Sequence, residues 1–157
     1  TDSIRDQIQL LNNIAQDQKV SISHVKPHGA VYNRAAKDKT VAQALGEAVT
    51  QVDPSLKVMG LAGSIMLDVF DQMGLEIMAE AFADRTYEAD GSLRNRKYDD
   101  ALITKPEKAA KQTEMMVSGK IIAVDGSEVA INAQTLCIHS DTPNAVAIAK
   151  AVNKVIS

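Results

Sequence analysis

Tryptophan is absent, cysteine occurs once, and aromatic residues make up 3% of the 157-residue chain. A core without large rings has to be assembled from Ala, Val, Ile, Leu and the six Met, a flexible gap-filler rather than a ligand set here. The lone Cys137 excludes an internal disulfide framework and fits a reducing compartment, so a cytoplasmic location is expected. No apolar stretch reaches the ~20 residues that span a bilayer, and the opening Thr-Asp-Ser-Ile-Arg does not read as a signal peptide. An excess of positive charge is also lacking. A net charge of −3 and no long Lys/Arg block give no electrostatic case for nucleic acid or a membrane surface. What remains is an ordinary globular composition, 45% hydrophobic and 24% charged, on a chain whose length suits one domain. Residues 1–157 are therefore read as a single α/β domain.

The pattern alternates between helix and strand. Ile4, Ile8, Leu11 and Ile14 recur at helical spacing and predict an amphipathic helix over 3–18, opened by a Ser3/Asp6 capping box. Val20 to Lys26 reads as a strand. A helix follows over 34–52, stopped by Asp53-Pro54, then a short apolar strand over 57–62. Gly63-Ser64 opens a helix to about Met73, and 76–83 is a further strand. Residues 84–103 form a long polar loop, a length that in compact domains is often functional. Thr104-x-x-Glu107 predicts a capped helix over 105–118. Strands over 120–124, 128–132 and 135–139 include an Asp125-Gly126 hairpin turn. Thr142-Pro143 then opens a last helix as N-cap and first-turn proline. Such alternation predicts a parallel sheet with crossover helices, open or closed into a barrel.

Active sites of these folds lie at the carboxyl ends of strands, where three polar clusters sit. In the first, His24-Val25-Lys26-Pro27-His28-Gly29, an extended strand puts His24, Lys26 and His28 on one face. His24 and His28 would then lie ~13 Å apart, at ~3.3 Å per residue, too far to share one zinc. Lys26 is the candidate for holding a carboxylate or phosphoryl group, and His28 a candidate acid or base. Against this stands a histidine bonded to backbone and a lysine paired to an aspartate. In Phe82-Ala83-Asp84-Arg85, Asp84 is a candidate base or a group that positions a neighbouring His or Lys. Arg85 is a candidate anion clamp, or half of an ion pair that pins the following loop. From that loop, Arg96 is a candidate phosphate contact, whereas Arg94 and Lys97 read as solvated charges. In Cys137-Ile138-His139-Ser140-Asp141, His139 is a candidate proton carrier beside a helix N-terminus. Asp141 reads as an N-cap, and Cys137 as a small core residue.

Taken together, these stretches resemble the LamB/YcsF family, which includes the A-subunit of the ATP-dependent bacterial 5-oxoprolinase. The resemblance is carried by His24 through Asn33, Gly60-Leu61-Ala62-Gly63-Ser64, Phe82 through Tyr87 with Ala89-Asp90-Gly91-Ser92-Leu93, and His139-x-Asp141 before an Ala-rich helix. It covers essentially the whole chain. It implies part of an irregular (β/α) barrel of the polysaccharide-deacetylase kind. It also implies cleavage of the lactam amide of 5-oxo-L-proline to L-glutamate, with ATP and Mg²⁺ as cofactors and two further subunits, B and C, as partners. Under it His28, Asp84 and His139 would move protons, while Lys26, Arg85 and Arg96 would hold the substrate carboxylate or a phosphoryl group. No metal ligand is assigned. Ser140 stands where the family often has Gly, and the family's amino-terminal Asp-Leu-Asn and Ala-Cys-Gly-x-His-Ala-Gly-Asp stretches have no counterpart here. The chain thus resembles the carboxyl-terminal portion of such a protein. It is expected to need a second chain or a second copy of itself to cover open strands. Two other readings are a metal-dependent deacetylase-like hydrolase and a non-catalytic assembly module.

Overall fold

Ile8 and Ala15, two turns apart, are the buried residues of the first helix, and the rest of the fold repeats this use of small and aliphatic side chains. In the computed structural model, which describes residues 2–157, the chain runs through six helices and six strands. They are α1 (Asp2–Asp17), β1 (His24–Val25), α2 (Gly29–Ala35), α3 (Lys39–Val52), β2 (Lys57–Leu61) and α4 (Ile65–Gln72), followed by β3 (Ile77–Phe82), α5 (Pro106–Val117), β4 (Lys120–Ile122), β5 (Glu128–Ala130), β6 (Thr135–Cys137) and α6 (Ala145–Ile156). Parallel strands joined by helices make it an α/β protein, as the alternating pattern predicts. The chain divides into two compact units, Thr1–Met78 and Ala79–Ser157. Among the described residues no helix is long and apolar enough to cross a membrane.

In the first unit β1 and β2 pair in parallel, His24 opposite Lys57 and Val25 opposite Val58, with α2 and α3 as the crossover. Ala42, Leu45, Ala48 and Val49 form the buried stripe of α3, which packs against α1 and α4. Two expectations change. The strand expected over 20–26 shrinks to two residues. The Val20 N–H is drawn back to the Ala15 carbonyl at the end of α1, and Pro27 has no N–H to offer a ladder. His24, Lys26 and His28 therefore do not share a strand face. The helix expected over 34–52 is two helices. Asp38 caps α3, its carboxylate accepting from the N–H groups of Thr40 (3.0 Å) and Val41 (3.3 Å).

In the second unit β3 and β6 pair in parallel, with Glu80, Ala81 and Phe82 opposite Thr135, Leu136 and Cys137. The expected hairpin is present as antiparallel β4 and β5, turned by Gly126 at φ +88°. α5 and α6 pack together, and Ala83, Ala109, Ile148 and Val152 form a core joined by Ile103, Leu136 and Ile138. Two expected caps are absent. The N-cap position of α5 is Lys105 without a side-chain cap, its Pro106 standing in the first turn, so the Thr104/Glu107 box does not form. The N-cap position of α6 is Asn144, not Thr142.

Candidate active site

The register of β3 and β6 builds the centre of the second unit. Carrying the Phe82–Cys137 pairing two residues onward brings Asp84 opposite His139, and Ala83 N–H donating to Cys137 O at 3.1 Å keeps the chains together past the last strand residues. In a strand, residues two apart share a face. Phe82 with Asp84, and Cys137 with His139, therefore point the same way. Phe82 stacks on the His139 ring, centroids 5.3 Å apart and planes at 15°.

Asp84 is fully buried, whereas the His139 side chain is 26% exposed. The carboxylate accepts from three donors: His139 N–H to Oδ2 (2.9 Å), Thr142 Oγ1 to Oδ2 (2.6 Å), and His139 Nδ1, bifurcated between Oδ1 (3.1 Å) and Oδ2 (3.0 Å). Burial alone would push Asp84 up. The donations from the His139 ring, the Thr142 hydroxyl and the His139 backbone together outweigh it and hold the group below the usual carboxylate range. An ionised carboxylate only accepts, so Nδ1 must carry the proton. Nε2 is then the nitrogen whose lone pair is open in the neutral ring, and it has no hydrogen bond among the described residues. A buried carboxylate, a partly exposed imidazole held by one nitrogen, and a second nitrogen without a hydrogen bond make a unit that can take a proton, stabilise the resulting imidazolium and return the proton.

The long loop is tied into the same centre. Arg85 is buried, and its Nε and Nη2 donate to the carbonyls of Ala101 (3.2 Å) and Arg94 (2.5 Å). Burial, and secondarily the positive Arg96, push Arg85 down, though a guanidinium remains charged. Arg94 reaches Asp100 (2.6 Å) and Glu88 (3.0 Å) and lies over the Tyr98 ring. The Tyr87 hydroxyl, fully buried, accepts from the Phe82 N–H at 2.7 Å, and burial pushes its pKa up. From α5, Gln112 Nε2 donates to the carbonyls of Phe82 (2.9 Å) and Arg85 (2.8 Å), bracketing Asp84. Among the described residues no buried side-chain nitrogen or oxygen lacks a partner.

Of the six residues singled out in the sequence, Asp84 and His139 are in direct contact. Arg96 pairs at 3.0 Å with Asp141, whose carboxyl it holds below the usual range. Arg85 is engaged by backbone carbonyls. Lys26 and His28 belong to the first unit. Lys26 is half-buried beside buried Pro27, and exposed His28 precedes α2 with extended backbone and no capping bond. Three contributors went unread in the sequence. Thr142 looks like a helix cap, Gln112 like one more polar residue on a helix, and Tyr87 like a loop aromatic. Ser140, where glycine is often found, does not take a positive φ, so its side chain meets no backbone strain.

The donor set does not suit a nucleotide and its metal. Among the described residues no three His, Cys, Asp or Glu side chains gather as a metal site, and Mg²⁺ is held through carboxylates. Arg85 and Arg94 are held by backbone carbonyls and carboxylates rather than forming an open phosphate cradle, while Arg96 sits in an exposed pair with Asp141. Asp84, Arg85 and Arg94, already engaged within the chain, offer no open site for ATP with Mg²⁺.

The LamB/YcsF family model matches residues 1–157. The chain is 50% identical over 147 residues to the A-subunit of 5-oxoprolinase from Chloroflexus aggregans, covering 93% of this chain and 58% of that protein. It is 47% identical over 141 residues to the A-subunit of 5-oxoprolinase from Halalkalibacterium halodurans, covering 89% and 55%. Among solved structures, the lactam utilization protein of Thermus thermophilus superimposes with a TM-score of 0.87 at 38% identity, covering 98% of this chain and 61% of that one. The chain thus spans little more than half the length of the curated relatives it matches.

Proposed function

Because the chain belongs to the LamB/YcsF family, we propose that it forms part of the A-subunit of a 5-oxoprolinase and that its Asp84–His139 pair moves the protons of lactam cleavage. The relatives' names, one for a 5-oxoprolinase component and the other for lactam utilization, support the substrate class. The observation that carries the reading is the buried carboxylate on Nδ1 of a histidine whose Nε2 is open. Opening 5-oxo-L-proline adds water across one C–N bond. The oxygen goes to the carbonyl carbon, one proton leaves the attacking water, and one reaches the ring nitrogen as it departs. Nε2 of His139 is suited to take the first and deliver the second, and Asp84 stabilises the imidazolium in between. The Arg96–Asp141 pair is exposed, and such pairs hold with little net free energy. Arg96 is therefore proposed to turn to the substrate carboxylate, and Arg85 to fix the loop that carries it.

For the first unit the proposal keeps Lys26 as an anion-holding group and His28 as a second proton carrier, each testable by its own substitution. ATP with Mg²⁺ is proposed to bind outside the described residues, and subunits B and C to complete the assembly. A further contact is proposed on α1 and the segment after it, where Leu10, Leu11, Ile14 and Val20 are 50–62% exposed. An apolar surface of this kind marks an interaction site. The occupant proposed is the part of the relatives' length that this chain does not span. A cytoplasmic location, supported by the free Cys137, belongs to the same proposal. The test is glutamate release from 5-oxo-L-proline by the chain reconstituted with its partner subunits, with and without ATP. ATP-dependent release is expected. A complete complex that releases none refutes the reading.

A further inference from the structure

We propose that Thr142 is a positioning residue that locks the His139 ring, through Asp84, with its proton on Nδ1. The role rests on reading His139 as a proton carrier, but the geometry behind it is independent of the substrate. Thr142 is 4% exposed and is tied at two points. Its hydroxyl donates to Asp84 Oδ2 at 2.6 Å, the shortest of that carboxylate's donations. Its backbone N–H closes the turn onto the His139 carbonyl at 3.2 Å. One residue therefore fixes both the acceptor that holds the ring and the backbone that carries it.

The way α6 begins gives the second line of argument. Thr142 stands where a helix N-cap is expected, a role in which a Thr hydroxyl stabilises the start of a helix. Its hydroxyl is turned to Asp84 instead. The N-cap position passes to Asn144, which sits at φ +66° and makes no side-chain cap; its Nδ2 donates instead to Thr104 O at 3.1 Å. α6 thus forgoes a cap so that a buried carboxylate can gain a donor, the kind of local concession expected beside a functional group. Without that donor Oδ2 loses one of the bonds that fix the carboxylate plane. Asp84 can then turn about its terminal torsion, a broad, soft coordinate, and the ring is no longer held in one tautomer. Phe82, stacked on one face, supports the ring plane but has no group that distinguishes the two nitrogens.

The experiment is ¹⁵N NMR of histidine-labelled full chain, with kinetics of the reconstituted complex. In the neutral ring of wild type, Nδ1 is expected to carry the proton and Nε2 to be bare. T142V, which keeps the shape and removes the hydroxyl, is expected to show a mixture of tautomers and a roughly tenfold lower kcat with KM within about twofold, the scale of one hydrogen bond to a charged group. T142S is expected to restore both readouts. A folded T142V with the wild-type tautomer and kcat overturns the proposal. If T142V does not fold, T142A, which also removes the hydroxyl, is read in its place, and the wild-type tautomer and kcat in that variant overturn the proposal. Loss of the Nδ1–H tautomer in T142V, together with a wild-type complex that releases no glutamate, keeps the positioning role and removes the 5-oxoprolinase reading. The reverse pattern removes the positioning role alone.

Discussion

Replacing Asp84 by Asn separates the charge of this centre from its shape. The amide has one acceptor where the carboxylate has two, and Asp84 receives the Thr142 hydroxyl, the His139 N–H and the His139 ring. If the Asn oxygen keeps the first two, its NH₂ faces Nδ1. The ring can then only accept there, and its proton must move to Nε2. That is the wrong tautomer for a base acting through Nε2. A positioned general base is worth roughly 10²- to 10⁴-fold, so D84N should lower kcat by that range. Stability should fall by about 1–3 kcal/mol at neutral pH, the scale of hydrogen bonds to a charged group. The pH dependence has a definite sign. Asp84 titrates below its unfolded value, so its contribution is fully present above about pH 4 and is lost as pH falls through the folded value. D84N should remove that acid-induced loss. The assays are glutamate release by the reconstituted complex and urea unfolding of the chain from pH 2 to 7. Activity within threefold of wild type, or an unfolding free energy whose acid limb matches wild type, would refute the reasoning.

Arg85→Ala should cost about 1–3 kcal/mol by leaving the Arg94 carbonyl without its donor and the Ala101 carbonyl with the Thr86 N–H alone. Limited proteolysis should show the 86–101 loop cut faster than in wild type, and an unchanged cleavage rate would count against its anchoring role. Asp141→Asn should leave the urea midpoint unchanged, because the Arg96–Asp141 pair is exposed. It should alter KM for 5-oxoproline rather than kcat; a change in kcat alone would contradict the placement of Arg96 as a carboxylate contact. Gly60→Ala should destabilise by roughly 1–3 kcal/mol through overpacking. Its Cβ would come within 2.8 Å of Met66 Cε and 2.9 Å of Leu67 Cδ2, so a midpoint equal to wild type would show that α4 gives way freely.

Much of this centre was legible in the sequence because it follows from strand register. A polar pair at the end of one strand and a histidine at the end of another are what a parallel sheet brings together, and Asp84 with His139 obeys that rule. The presence of helices with strong periodicity, such as α1 and α3, was equally readable, although Leu11 and Ile14 of the face expected to be apolar on α1 are exposed. The misreadings have physical causes. The strand expected over 20–26 is mostly extended chain without partners, because pairing depends on neighbours that periodicity does not show. The break before α3 is set by the Asp38 side chain, whose turn chemistry the apolar pattern hides. Thr142 carries the motif of a helix cap and spends its hydroxyl on a carboxylate 58 residues away in sequence. Gln112 is similar: nothing in its spacing indicates that its amide brackets Asp84 by way of two backbone carbonyls.

The central claim is that Nε2 of His139, steadied by Asp84, handles the protons of lactam opening. Its most direct test is the 5-oxoproline-dependent glutamate release of a reconstituted complex carrying His139→Gln, with folding checked by circular dichroism. A folded complex slowed by roughly 10²-fold or more is the predicted result. A folded complex that turns over at the wild-type rate would contradict the account.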